Sequence, residues 1–143
     1  MSRFVLLYHN CPPTYPRPSH WDLMLESGDL LRTWALEKLP CGWRETQSLT
    51  QSKYPHCPAL AAHNEVVAEQ LADHRREYLE FEGDLTGNRG SVIRVAAGTY
   101  EVVAESPNQF EIVVIVDCIS REIRLTRSDS ETTQWRLALQ VSP

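Results

Sequence analysis

No two of the four cysteines, Cys11, Cys41, Cys57 and Cys118, stand two residues apart. That spacing excludes a zinc knuckle or a C-x-x-C redox motif and reads as reduced, space-filling thiols. Basic residues are not in surplus either: 14 Lys and Arg face 19 Asp and Glu, for a formal charge of −5. A nucleic-acid coat protein, whose grip rests on excess cations, is thereby excluded. An enzyme that holds one phosphate beside a metal is not. Long apolar runs are missing as well. The stretch Phe4 to Tyr8 is too short for a signal-peptide core or a membrane span, so a cytoplasmic chain with no membrane partner is expected. Nor is there any repeat or low-complexity tract. What remains is a 143-residue chain, 42% hydrophobic and 23% charged. It is expected to form one domain over residues 1–143 that buries roughly two-thirds of its unfolded surface.

Proline, by contrast, is concentrated. "NCPPTYPRPS", residues 10–19, carries four prolines, which exclude a helix or central strand and mark a loop between an apolar strand, Phe4 to His9, and the next one. That next strand, "HWDLMLES", alternates: His20, Asp22, Met24 and Glu26 share one face, and Trp21, Leu23 and Leu25 the other. The second face reads as core. The first bears an imidazole and two carboxylates, more chemistry than a solvated face needs. "LESGDLL" reads as a hairpin around Ser27, Gly28 and Asp29. A three-residue loop pairs Glu26 with Leu30 and sets Arg32 opposite Met24 and Trp34 opposite Asp22, bringing a cation to the polar face. Residues 40–62 are irregular, and 63–74 fit either helix or strand. Beyond them "SVIRVA", "GTYEVVA", "QFEIVVIVD", "REIRLTR" and "TQWRLALQV" are short runs between turn signals. In the last, Trp135, Leu137, Leu139 and Val141 face one way. About eight short strands with one or two short helices predict a mainly β fold, a compact antiparallel barrel whose interior just holds its side chains.

His20 and Asp22 on one strand face stand about 6–7 Å apart at the backbone, suited to two ligands on one divalent ion. His9 ends the preceding strand, and the proline loop brings the chain back beside it. Two imidazoles and a carboxylate with open positions suit Mn, Fe(II) or Zn. Taken alone, H-x-D is as readily a chance pattern, and two such histidines are as readily structural. In "ADHRREYLEFEG", a helical turn would put His74 and Tyr78 on one face, an imidazole and a phenol able to donate to a phosphoryl oxygen; an ordinary surface turn with Tyr78 packed beneath it explains the same residues. Arg32 and Lys38 are the basic residues nearest the polar face. His56 and His63 carry no role.

In order, "RFVLLYHN", "HWDLMLESGDLLRTWALEKLP", "DHRREYLEFEGDLTGNRGSVIRVAAGTYE" and "QWRLAL" resemble the 3′-phosphoesterase module of bacterial end-joining DNA ligases of the ligase D type. The resemblance runs from residue 3 to about 139 and is expected to represent a stand-alone form. It implies a β-barrel with a manganese-dependent site, with Zn2+ or Co2+ as other candidates. Such a site trims 3′ ends of DNA or DNA–RNA strands by removing a terminal ribonucleoside or a 3′-phosphate, with an end-joining ligase as a partner. By position it makes His9, His20 and Asp22 the metal ligands, His74 and Tyr78 the groups that engage the phosphate, and Glu26, Arg32 and Lys38 the substrate-binding residues. Where the family carries an arginine two residues after the H-x-D aspartate, this chain has Met24, and Arg32 is expected to stand in. A thioether cannot clamp phosphate as a guanidinium does. The phosphodiesterase step is therefore expected to survive ahead of the phosphomonoesterase step. The competing expectation is a catalytically impaired homologue that binds metal or nucleic acid, and a remoter one is a phosphodiesterase of small nucleotides.

Overall fold

In a computed structural model the described residues are 2–40, 43 and 64–140. Cys41, Cys57, His56, His63 and Val141 lie outside them, as does most of the irregular stretch at 40–62. The described residues form nine strands: β1 (Ser2–Asn10), β2 (His20–Ser27), β3 (Leu30–Leu36), β4 (Glu65–Arg75), β5 (Gly83–Asp84), β6 (Ser91–Ser106), β7 (Gln109–Val116), β8 (Ile119–Thr126) and β9 (Gln134–Gln140). They hydrogen-bond in the order β1-β2-β3-β4-β9-β8-β7-β6, and β6 returns to β1, closing an eight-stranded antiparallel barrel with β5 added outside β6. From Glu65 onward, the segment read as either helix or strand is strand β4. Among the described residues there is no α-helix, and the short helix expected near His74 is a four-residue 3-10 turn, Arg76–Leu79.

Alternation decides the packing. Phe4 and Leu6 of β1, Trp21, Leu23 and Leu25 of β2, and Trp34 and Leu36 of β3 point into the barrel, where they meet Phe110, Ile112 and Val114 of β7 and Trp135, Leu137 and Leu139 of β9. Large rings fill the interior. Trp34 stacks on Phe110 with centroids 6.1 Å apart and takes the edge of Trp135 at 5.9 Å. The barrel is therefore packed, not hollow, as eight strands allow. The opposite faces of β1, β2 and β3 are not left to solvent. Val5, Leu7, Met24 and Leu31 form a second apolar cluster with Val92, covered by Leu79, Tyr78 and Leu85 from the segment that follows β4. This outer cluster, rather than the barrel mouth, is the floor on which the polar residues sit.

The hairpin between β2 and β3 corrects the expected register. Ser27 pairs with Leu30, Glu26 with Leu31, Leu25 with Arg32 and Met24 with Thr33. The loop is two residues, Gly28 and Asp29, with Gly28 at φ 62 in the first central position, where a tight hairpin favours glycine. A slip of one residue turns every β3 side chain to the other face. Trp34 consequently lies opposite Leu23, and Ala35 opposite Asp22.

Candidate metal centre

His9 and His20 are direct cross-strand partners on β1 and β2, with ring centroids 5.0 Å apart. Asp22 lies two residues along the same face of β2, and all three residues are buried in the wall. The hydrogen bonds around the rings determine what they offer. His20 Nδ1–H donates to the Pro18 carbonyl at 2.8 Å, which leaves the lone pair of Nε2 facing Asp22 Oδ1 at 3.1 Å. His9 Nε2–H donates to the Arg89 carbonyl at 2.7 Å, which leaves Nδ1 facing Asp22 Oδ2 at 4.0 Å. With His20 neutral, two lone pairs and a carboxylate thus converge with no proton between them, and the buried Asp22 Oδ1 then has no hydrogen-bond donor. A buried acceptor in that state is costly unless something positive joins it.

Electrostatics point the same way. Burial alone would depress His20, but the hydrogen bond to Asp22 and its charge, with the Pro18 carbonyl, outweigh it and raise the imidazole pKa above its ordinary value. His9 is held below the ordinary value, chiefly by burial and also by the neighbouring His20. A proton on His20 is one way to satisfy Asp22, and a divalent cation is the other. The outer bonds to Pro18 and Arg89 are of the kind that fix ring orientation and tautomer in metal-ligating histidines. Donor atoms of His9, Cys11 and His20 also lie within 4.8 Å of one another. The thiol, however, approaches the Nδ1 edge of His20 at 3.8 Å, which Pro18 already occupies, and contacts the His9 carbonyl at 3.6 Å. Burial, with Asp22 adding to it, pushes that thiol up to about 11. The Asp22 carboxylate meets His20 at Nε2, the ring nitrogen that the sulfur does not approach.

The cluster opens into a pocket of about 100 Å³, also lined by Tyr15, Arg17, His74, Tyr78 and Arg89. His74 lies one residue before the end of β4, not in a helix, and Tyr78 sits in the 3-10 turn, yet their ring centroids are 5.7 Å apart. The Ala72 carbonyl accepts from His74 Nδ1–H at 2.9 Å, so Nε2 is the free nitrogen of that ring.

Three expected substrate-binding residues are not brought here. Arg32, on the inward side of β3 because of the two-residue hairpin, lies over Phe110 at 4.4 Å and pairs with Glu105 at 2.9 Å. Lys38, past the end of β3, lines a separate, larger groove. Glu26 shares the face of Asp22 but stands about 13 Å farther along the strand, where it pairs with Arg76 at 2.5 Å.

Sequence reasoning also missed two contributors. Arg17 lies between two prolines just ahead of His20, a signal that could have been read. The Arg89 carbonyl reaches His9 only because Gly90, at φ 87, passes so close to β1 that a Cβ there would sit 2.0 Å from the Asn10 carbonyl oxygen.

A packed eight-stranded barrel thus carries two histidines and an aspartate converging in one wall, beside a His-Cys-His group that could hold a metal ion. A family model described as the DNA ligase D 3′-phosphoesterase domain matches residues 14–141. The chain belongs to that family. The match takes in His20, Asp22, His74 and Tyr78 and begins after His9, so the place of His9 rests on its pairing with His20. Among curated proteins no match to the chain is found. The family relationship supports a phosphoesterase role in DNA end repair. No helix among the described residues is long and apolar enough to cross a membrane.

Proposed function

We propose that this chain is a divalent-metal-dependent phosphoesterase that trims 3′ ends of DNA or DNA–RNA strands, removing a terminal ribonucleoside to leave a 3′-phosphate, or a 3′-phosphate to leave a hydroxyl. The observation that supports the reading is the buried Asp22 carboxylate, which faces Nε2 of His20 and Nδ1 of His9 and has no hydrogen-bond donor at Oδ1 when His20 is neutral. Those three residues would hold the metal. Their mixed nitrogen and oxygen donors suit Mn2+ and accommodate Zn2+ or Co2+. When bound, the cation supplies Lewis acidity toward a phosphoryl oxygen and lowers the pKa of water.

The chain's own residues do the rest. The His74 ring, anchored through Nδ1, presents Nε2 to the pocket, where it takes a proton from the attacking water when neutral or, when charged, gives one to the departing oxygen, O5′ of a ribonucleoside or O3′ beneath a terminal phosphate. The Tyr78 phenol, in edge contact with that ring, donates to a non-bridging phosphoryl oxygen. Val92, Leu85 and Met24 exclude bulk water from one side, which strengthens each of these interactions. One observation favours the impaired-homologue reading: Met24 is 1% exposed and packed among Val5, Leu7 and Leu31, leaving no cation at its position.

The test is direct. The protein is incubated with Mn2+ and a duplex whose primer ends in one ribonucleotide or in a 3′-phosphate. Trimming that His20→Ala abolishes supports the enzyme. Tight Mn2+ binding without trimming of either end supports the binding module. Complexes with a separate end-joining ligase are read by co-purification of the two chains.

A further inference from the structure

Two guanidinium groups line the pocket, and their tethers differ. Arg89 is folded back on its own turn, with Nε donating to the Thr86 carbonyl at 2.7 Å and a terminal nitrogen to the Thr86 hydroxyl at 3.1 Å. Arg17 is paired with Glu69 of β4 alone among the ion pairs described, and both side chains are partly exposed, 32% and 41%. The backbone beneath Arg17 is stiff. Pro18 follows it and disfavours a helical conformation at Arg17, and Pro16 fixes its own φ just before. It is also indexed to the metal centre, since the Pro18 carbonyl orients His20. The far end of the loop is closed by the Cys11 amide, which donates to the Ser19 hydroxyl at 2.9 Å. Arg17 alone lines both the 100 Å³ pocket and the adjoining groove of about 830 Å³, whereas Glu69 lines only the groove.

We propose that Arg17 is the cation that clamps the terminal phosphate of the substrate, and that Glu69 competes with that phosphate for it. The Arg17–Glu69 pair is then the closed state of a two-position clamp. A partly exposed ion pair is weakly held, whereas a phosphate offers the guanidinium a bidentate partner of higher charge. The side chain swings from groove to pocket about a fixed backbone, and Glu69 is released to solvent. The loop thereby supplies from outside the barrel the positive charge that Met24 does not supply from its wall. This inference rests on the phosphoesterase reading and adds to it the residue that selects phosphate.

The experiment uses the full chain loaded with Mn2+ and measures three quantities: Mn2+ affinity, affinity for inorganic phosphate by calorimetry, and KM and kcat on the 3′-phosphate duplex. Arg17→Gln is expected to weaken phosphate binding about ten- to a hundredfold and to raise KM, with Mn2+ affinity unchanged. Arg17→Lys, which keeps charge but not the fork, falls between. Glu69→Gln is expected to act in the opposite direction, tightening phosphate binding and lowering KM. A merely structural ion pair would make both variants worse. Losses in both variants, or phosphate binding untouched by Arg17→Gln, would overturn the proposal. If opposite shifts in phosphate affinity appear in a protein that trims nothing, the clamp stands and the phosphoesterase reading falls. If trimming proceeds in Arg17→Gln at unchanged KM, the reverse holds.

Discussion

Asp22→Asn is the substitution that most sharply separates a metal centre from an ordinary buried polar cluster. With metal in excess, binding to the folded state alone stabilises it by RT ln(1 + [L]/Kd), about 2.7 kcal/mol at one hundred times Kd. For a chain of this size each kcal/mol moves Tm by about 3–4 °C, so the wild type should gain about 8–11 °C with Mn2+. Losing a residue that merely orients a ligand costs ten- to a hundredfold in affinity. Losing the only carboxylate among the three converging donors should cost at least the upper figure. At the same Mn2+ concentration the variant then retains only about 0.4 kcal/mol, or about 1–2 °C.

The metal-free protein should behave differently. The incoming amide can donate to His20 Nε2, ending the confrontation of two acceptors in the wild type. Because the folded pKa of His20 is raised, the proton it shares with Asp22 stabilises the wild type at low pH, and that contribution is lost as pH rises through the folded value. In chelator, the variant should thus be the less stable form on the acidic side of that titration and at least as stable on the alkaline side. Thermal scans across pH, with Mn2+ and with chelator, read both effects. A variant that keeps the full Mn2+ shift would refute the assignment of Asp22 as a ligand.

His74→Ala should lower kcat by about two to four powers of ten while leaving Mn2+ affinity intact, and single-turnover trimming assays measure it. An equal loss of Mn2+ binding would move His74 into the ligand set. Gly90→Ala forces a Cβ against the Asn10 carbonyl at a left-handed φ, so the Arg89 carbonyl leaves His9. Mn2+ affinity by calorimetry should fall about ten- to a hundredfold. Trp34→Ala opens a void between Phe110 and Trp135 and should cost about 3–5 kcal/mol in urea unfolding. A cost under about 1 kcal/mol would mean the barrel interior is not one packed core. Mn2+ binding by the wild type should release protons and strengthen with rising pH, as the cation replaces the proton of His20, which calorimetry in buffers of different ionisation enthalpy detects.

The period of two was legible in the chain itself. It assigned Trp21, Leu23 and Leu25 to the interior and His20, Asp22 and Met24 to the opposite side, and it separated the strands of the second half, because side-chain direction in a strand is a local property. The Pro-rich connection could be read for the same reason, since a proline ring acts on its own backbone. What local pattern could not decide was pairing. One residue more or less in the turn at Gly28 and Asp29 determines whether Arg32 faces the polar cluster or Phe110, and nothing in the alternation of either strand distinguishes the two registers. The Arg89 carbonyl on His9, the coverage of Met24 by Leu79, and the Arg17–Glu69 pair each join distant parts of the chain. Closure of the barrel brings such contacts together. The residue types of the centre were therefore written in the strands, whereas the free nitrogen of each imidazole and the cation near enough to serve them were decided by tertiary structure, because hydrogen bonds across a closed sheet depend on which strands meet and in what register.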